Sequence, residues 1–194
     1  MAKKKITPSS YLFPRPVVLI GANVKGKPNF EAIAYVSSVE DKPPLIAIAS
    51  YETHFTNRGI RENLTFSVNT PSKEIIEGTD FCGTVSGKDS DKSEVFEVFY
   101  GELGTAPMIS EAPLNLECKV LKTFMLRDWT DVEEGHELFI GEVVNAYADG
   151  EYLTDDAPDI SKIDTFTYSM NQYWNVGEPI AKAWEIGKSF MKEK

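Results

Sequence analysis

The segment LNLECKVLKTFML (residues 114–126) indicates a β-rich fold, because apolar and charged side chains alternate along it. Leu116 and Cys118 flank Glu117, and a period of two is typical of a strand with one buried face. The segment ELFIGEVVNAY (residues 137–147) follows after a polar stretch. The two segments predict two long β-strands.

Shorter apolar runs predict further strands in the rest of the chain. They cover residues 16–22, 30–37, 45–51, 65–70 and 166–174. Turns that contain Gly and Pro separate the first of these runs, which favours antiparallel β structure.

Three short helices are predicted between the strands, each after a residue that can act as an N-cap. These residues are Thr53, Ser72, and either Ser90 or Asp91. A further helix is predicted at the C-terminus, over residues 175–194. About six strands with short interspersed helices predict a β-barrel with helical covers. A doubly wound sheet is not favoured, since no glycine fingerprint opens a helix directly after a strand.

Length and charge narrow the functional classes. The chain has 194 residues, 42% of them hydrophobic, which suits one packed domain. A net charge of −10 disfavours general nucleic-acid binding. No run approaches the ~18 apolar residues of a membrane span, and no signal-peptide pattern is present. We therefore expect a cytoplasmic protein.

Motifs of common catalytic and metal sites are missing. The sequence has no GxSxG, HExxH or CxxC pattern. Its two cysteines, Cys82 and Cys118, lie far apart, and its two histidines, His54 and His136, lie in unrelated segments. We therefore expect neither a metal site nor a disulfide framework. A Ser-His-Asp triad stays open, although no serine stands at a glycine-flanked elbow.

Two polar segments have the chemistry of an anion site. GTVSGKDSDKSEVFE (residues 83–97) combines glycines, hydroxyls and lysines, and SYETHFTNRGI (residues 50–60) leaves a strand and enters a helix. The first amides of a helix are free donors with positive partial charge, and they can bind phosphate. For each segment alone, a solvated loop or a helix cap is the commoner explanation, and only the combination of the two segments favours an anion site.

The order of five segments resembles the flavin reductase-like family. The segments are RPVVLIGA, NFEAIAYVSSVEDKPPLIAIAS, HFTNRGIRENLTFSVNTP, GTVSGKDSDKSEVF and GHELFIGEVV. The family binds FMN on a split β-barrel, and the chain is most similar to its flavoredoxin branch. The resemblance covers residues 15–174 as the barrel core. It implies a mainly β, Greek-key split barrel with short covering helices, in one domain over residues 1–194.

The resemblance also implies roles for individual residues. The isoalloxazine ring and ribityl chain would lie against Asn29, Tyr35, Ser37 and Ser38. Phosphate and ribityl oxygens would be held at Ser50, His54 and Thr56, and at a second loop by Ser86 and Lys92. His136 would act in catalysis, beside the flavin where nicotinamide stacks. Either Phe166 or Tyr168 would cover a ring face.

The implied function is that of an FMN-dependent oxidoreductase. Electrons would come from NAD(P)H, as in a flavin reductase, or from a redox partner protein, as in a flavoredoxin-like carrier. A homodimer is implied, with its flavin sites near the interface. Two alternatives stay open: a non-catalytic flavin-binding protein, and a β-barrel that binds another phosphorylated ligand.

Overall fold

The structure is a computed structural model that describes residues 2–191, and β-strands dominate this part of the chain. The strands are β1 (Arg15–Pro16), β2 (Val18–Val24), β3 (Lys27–Ile33), β4 (Val36–Asp41), β5 (Pro44–Tyr51), β6 (Thr65–Thr70), β7 (Val98–Phe99), β8 (Met108–Ile109), β9 (Leu114–Met125), β10 (His136–Ala148), β11 (Leu153–Thr154), β12 (Ala157–Pro158), β13 (Phe166–Ser169) and β14 (Gln172–Asn175). The α-helices are α1 (Phe55–Asn63) and α2 (Ile76–Thr84). Short 3-10 helices cover Lys73–Ile75, Lys92–Val95, Leu126–Trp129, Gly150–Tyr152 and Ile186–Phe190. The predicted mainly β class is confirmed.

Seven antiparallel strands form the main sheet, in the order β3-β2-β6-β9-β10-β5-β4. Its two edge strands, β3 and β4, are consecutive in the chain and are joined only by Ala34 and Tyr35. In a flat sheet the edges would be about 29 Å apart, at roughly 4.8 Å per strand. The step from Ile33 to Val36 can span only about 11 Å. The sheet must therefore curl until its edges meet, which produces a barrel with an unpaired seam between β3 and β4.

The two strands predicted to be long, β9 and β10, pair along most of their length. Their register runs from Glu137 opposite Met125 to Ala148 opposite Leu114. Both begin and end within one residue of the predicted limits. The period-two pattern therefore correctly predicted these two neighbouring strands of the main sheet.

The barrel interior is filled by aromatic and aliphatic side chains. Phe66, Phe139 and Ile48 are at most 1% exposed and belong to one cluster with Cys118. The Phe66 ring lies against Gly141, where a Cβ would be 2.5 Å from the nearest ring atom. A glycine is therefore needed at this point of β10, next to a register shift in its pairing with β9.

Helix α1 packs against β2, with further contacts to β6 and β3. Its last turn carries Arg61, which forms an ion pair of 2.5 Å with Glu137 of β10, a residue only 1% exposed. The helix begins after His54 rather than after the predicted Thr53, because His54 has extended backbone angles and Thr53 lies in the preceding turn.

Two predicted strands are divided in the structure. The run 30–37 breaks at Ala34 and Tyr35, the corner between the two sheet edges. The run 166–174 is the hairpin β13–β14, which turns at Met170 and Asn171 with positive φ angles of 53° and 61°. A strand pattern does not show where the chain must turn to close a barrel.

Two predicted helices are also corrected. The helix expected after Asp91 is a 3-10 turn, although Asp91 caps it by accepting from the Ser93 amide. The C-terminal helix expected over residues 175–194 is reduced to the 3-10 helix Ile186–Phe190, and residues 192–194 lie outside the described range. A short helix needs packing to be stable in water. Ile180 and Trp184 instead stand 100% and 91% exposed.

No helix within residues 2–191 combines the length and apolar character that crossing a membrane requires.

Cys82 and Cys118 are both buried and unpaired. Burial raises the pKa of the Cys82 thiol to about 11, so it stays protonated at neutral pH.

Replacing Phe66 tests the importance of the packing inside the barrel. We expect Phe66→Ala to lower the free energy of unfolding by about 3–5 kcal/mol, because a closely surrounded cavity replaces the ring. The measurement is urea denaturation of the variant and the wild type.

The matched control is Phe124→Ala, on neighbouring β9, whose ring is 38% exposed. Its expected loss is about 1 kcal/mol, a common value for single substitutions. Equal losses in the two variants would show that the barrel interior is not the principal core.

Candidate functional site

A cavity of about 450 Å³ opens along β3 and the corner that joins it to β4, at one end of the seam. Strand β3 and the corner after it form one wall, and the ends of β5 and β10 form another. We call it the seam cavity; its lining includes Arg15, Glu31, Tyr35, Ser50, Tyr51, His54, His136, Tyr168 and Tyr173. The barrel closure therefore brings residues from six separate segments to one place.

Aromatic rings surround His136 in the seam cavity. The His136 ring is 5.2 Å from the ring of Tyr35 and 5.5 Å from that of Tyr51, both edge to face. The Arg15 guanidinium lies 5.0 Å from the centre of the Tyr35 ring. Partial burial lowers the pKa of His136, with a smaller contribution from the positive charge of His54. At neutral pH this end of the cavity is aromatic and His136 is uncharged.

A second cavity, of about 280 Å³, lies between the start of α1 and the segment that follows α2. We call it the loop cavity; its lining includes Thr53, His54, Phe55, Thr56, Ser86, Gly87, Lys88 and Lys92. The two cavities adjoin, because Glu31, Ala32, His54, Gly83 and Thr84 line both. Hydroxyls, ammonium groups and the first amides of α1 make the loop cavity rich in hydrogen-bond donors.

Lys92 is a buried cation in the loop cavity. Only 4% of the residue is exposed, and its Nζ donates to the Cys82 carbonyl at 2.7 Å. Burial lowers the pKa of Lys92. An ammonium group has three protons to donate, and a carbonyl compensates only part of its buried charge. An anion in the loop cavity would supply the remaining compensation.

Glu31, Ser50 and His54 form a hydrogen-bonded group at the boundary of the two cavities. The His54 Nδ1 is 2.5 Å from Glu31 Oε1, and the Ser50 hydroxyl donates to the same carboxylate at 3.0 Å. The hydrogen bond to Glu31 raises the pKa of His54. Glu31 is only 6% exposed, while the His54 side chain is half exposed.

The structure brings most of the residues predicted for the site together. Tyr35, Ser50, His54, His136 and Tyr168 line the seam cavity. Together with His54, the residues Thr56, Ser86 and Lys92 line the loop cavity. The loop of residues 83–97 is therefore more than a solvated connection, because Lys92 is held inside the protein.

Four predicted residues lie elsewhere. The Asn29 amide donates to the Thr56 hydroxyl at 2.8 Å, and Asn29 lines a neighbouring cavity. Ser37 and Ser38 are exposed on β4 and lie outside the lining of the seam and loop cavities. Phe166 is 2% exposed and packs against the Tyr173 ring at 5.2 Å, so Tyr168 faces the cavity instead.

Several residues of the seam cavity were not singled out from the sequence, and four of them have polar or charged side chains that the site geometry uses. They are Arg15, Glu31, Tyr51 and Tyr173. Only Glu31 carried a signal, as a single charge inside the apolar run FEAIAYV. The Tyr173 hydroxyl donates to Asp80 at 2.8 Å and connects the β13–β14 hairpin to α2.

Among residues 2–191, no three His, Cys, Asp or Glu side chains are grouped as metal ligands.

The chain belongs to the family of the flavin reductase like domain, whose model matches residues 10–173. A flavoredoxin from Methanosarcina acetivorans is 44% identical, with a TM-score of 0.92 over 98% of this chain and 100% of the other. The flavoredoxin of Desulfovibrio vulgaris (Miyazaki F) is 30% identical, with a TM-score of 0.84 over 96% and 100%. An uncharacterized protein of Archaeoglobus fulgidus is 30% identical over 164 residues, which are 83% of this chain and 87% of the relative. The resemblance to flavoredoxins and the split-barrel fold are confirmed.

Proposed function

We propose that this protein binds FMN across the seam and loop cavities and transfers electrons through it. The observation that carries the proposal is the adjoining pair of cavities, one aromatic and one rich in donors. FMN has the matching polarity, with a flat ring system at one end and a phosphate at the other. Family membership and the similarity to two flavoredoxins support the same reading.

The donors of the loop cavity suit a phosphate group. Thr56 and Ser86 supply hydroxyls, Lys92 supplies an ammonium group, and the N-terminus of α1 supplies backbone amides. Asn29 would act indirectly, since its amide holds the Thr56 hydroxyl. Ser37 and Ser38 are not among the proposed FMN contacts, because both are exposed on β4.

The aromatic residues of the seam cavity suit the ring system. Tyr35, His136 and Tyr168 provide flat surfaces and polar edges around the opening. When bound, FMN would supply the redox chemistry, accepting hydride or electrons and passing them on. The protein's own part is to position the rings, exclude water and present donors to developing negative charge.

NAD(P)H is the first candidate electron donor, and a redox partner protein is the second. The first would make the protein an NAD(P)H-dependent oxidoreductase, with His136 beside the incoming nicotinamide. The second is favoured by the identity to two flavoredoxins, since the sequence resemblance to that branch implies an electron carrier. A cytoplasmic location belongs to the same proposal.

The proposal predicts that FMN binds at least tenfold more tightly than riboflavin, which lacks the phosphate. A hydrogen bond to a charged group contributes about 1.5–3 kcal/mol, which corresponds to a factor of ten or more. We expect Lys92→Met to weaken FMN binding by about that factor while riboflavin binding is retained. Fluorescence titration of the apoprotein measures both ligands.

The control is Lys119→Met, which removes the same charge from an exposed position on β9. We expect it to leave both dissociation constants within a factor of two or so, since exposed charges are strongly screened. Equal affinity of the wild type for FMN and riboflavin would refute the proposed phosphate site.

His136→Ala is expected to slow flavin reduction more than it weakens FMN binding. Misplacing two stacked rings costs on the order of a hundredfold in rate, whereas the loop cavity would still hold the phosphate. Anaerobic stopped-flow reduction by NADH and NADPH, beside an FMN titration, measures both effects.

Trp129→Ala is the matched control, because the Trp129 ring is 67% exposed and outside both cavities. An unchanged reduction rate with weaker FMN binding would assign His136 to cofactor binding alone. A wild type that neither nucleotide reduces would favour the electron-carrier reading.

We also propose a homodimer, because the C-terminal segment exposes large apolar side chains. They are Ile180, Trp184, Ile186, Phe190 and Met191, each more than 70% exposed. Such a cluster is characteristic of an interaction surface. The second copy of the chain would cover it and close part of the flavin site.

Light scattering on the FMN-loaded protein should therefore give twice the 21.7 kDa chain mass. The double variant Ile180→Ser/Trp184→Ser should shift the population towards monomer. Ile160→Ser, at a residue 68% exposed outside this segment, should leave the mass unchanged. A monomeric wild type with FMN bound would contradict the proposed dimer.

A further inference from the structure

A buried carboxylate beside a phosphate site requires an explanation. Glu31 lines both cavities and is only 6% exposed, so its negative charge is poorly screened by solvent. Like charges in such surroundings repel strongly, and FMN carries a dianionic phosphate. The position of Glu31 would weaken FMN binding unless the carboxylate acts through a neighbouring group.

The geometry identifies His54 as that group. His54 Nδ1 is 2.5 Å from Glu31 Oε1 and 3.3 Å from the Ser50 hydroxyl. These contacts fix the orientation of the imidazole ring immediately before α1. No residue within the described range 2–191 hydrogen-bonds to Nε2, the other ring nitrogen, and the ring borders both cavities.

We propose that Glu31 is a positioning residue that holds His54 as an imidazolium, so that Nε2 donates a hydrogen bond to the phosphate of FMN. This inference rests on the proposed function. A neutral imidazole with its proton at Nδ1 would present a lone pair at Nε2, which would repel the phosphate. The imidazolium presents an N–H donor and a positive charge instead.

The charged and titratable groups around His54 set its charge state. They are Glu31 on β3, Tyr51 on β5, His136 on β10, and Lys88 and Lys92 after α2. The hydrogen bond to Glu31 raises the pKa of His54, whereas partial burial and the two lysines lower it, and the net direction is upward. The cation is therefore kept to a higher pH than usual and is lost as the pH rises through this raised pKa.

The charge balance explains why a carboxylate is tolerated at this place. Glu31 and a protonated His54 together are neutral, so Lys88 and Lys92 remain to compensate the phosphate. With His54 neutral, the carboxylate would cancel one of the two lysines. The negative charge of Glu31, which alone would oppose phosphate binding, therefore serves to hold His54 in place as a hydrogen-bond donor.

The first test needs no flavin. Because the chain contains only two histidines, proton–carbon NMR of the apoprotein shows two imidazole titrations, which His54→Gln assigns. We expect the pKa of His54 to lie above the usual ~6.5 in the wild type and to fall below it in Glu31→Gln. Glu40→Gln, at an exposed residue of β4, is the matched control and should leave the titration of His54 unchanged. An unchanged pKa of His54 in Glu31→Gln overturns the inference.

The second test measures dissociation constants of FMN and riboflavin at two pH values that the first test sets, one below both titrations of His54 and one between that of Glu31→Gln and that of the wild type. At the higher value we expect Glu31→Gln to bind FMN roughly tenfold more weakly than the wild type, since only the variant has lost the imidazolium. At the lower value, where His54 is protonated in both proteins, the variant should bind FMN at least as tightly. Riboflavin binding should change little at either pH. A carboxylate that only repels the phosphate gives the opposite sign, with tighter FMN binding at both pH values, and that result overturns the inference.

A rescue variant separates charge from packing. Glu31→Gln/His54→Arg has a permanent cation at residue 54, so it should recover most of the FMN affinity at the higher of the two pH values. Thermal melting checks that each variant is folded. Failure of the double variant to bind more tightly than Glu31→Gln, with both folded, counts against the phosphate role of residue 54.

If the wild type binds no FMN at all, the proposed function and this phosphate role both fail, while the NMR titration still decides whether Glu31 holds the charge of His54.

Discussion

The short connection between β3 and β4 is the constraint on which the rest of the structure depends. Two residues, Ala34 and Tyr35, join strands that lie at opposite edges of a seven-stranded sheet. The sheet can satisfy this only by curling, and the seam between the edges is the place where a cavity opens. The Tyr35 carbonyl accepts a hydrogen bond from the Ala49 amide at 2.9 Å, which fixes the corner against β5. The location of the site is therefore a consequence of chain connectivity.

Three buried carboxylates show how the same charged group serves different purposes in this barrel. Glu137 pairs with Arg61, and Glu117 accepts from two backbone amides, a side-chain amide and a tyrosine hydroxyl. Both are at most 1% exposed and lie away from the seam and loop cavities, so they serve the packing of strands and loops. Glu31 differs because its carboxylate borders open space and its partner, His54, is half exposed. Its environment is that of a site residue.

Local sequence patterns predicted the strands well and predicted the site in part. Alternation located β9 and β10 closely, because burial on one face imposes a period of two. The same pattern could not reveal the corner at Tyr35, since the chain turns there to close a seven-stranded sheet that includes strands as distant in sequence as β10. Ser37 and Ser38 consequently lie outside the cavities, and Glu31 was read as an ordinary strand residue. The prediction of a C-terminal helix was wrong for a related reason. Apolar residues at helical spacing do not stabilise a helix unless another part of the protein packs against them.

The overall and local charges of the protein act on different steps of anion binding. A net charge of −10 opposes the approach of any phosphorylated ligand, but screening limits this effect beyond roughly 8–10 Å at physiological salt. Lys92 and the amides of α1 act at contact distance, where screening is weak. In the proposed site, the acidic surface would therefore slow association, while the loop cavity would determine how long the ligand stays. An acidic protein can hold an anion in this way if the cations at the site are fixed in position. The buried Lys92 is held to the Cys82 carbonyl, and the half-exposed His54 is held to Glu31.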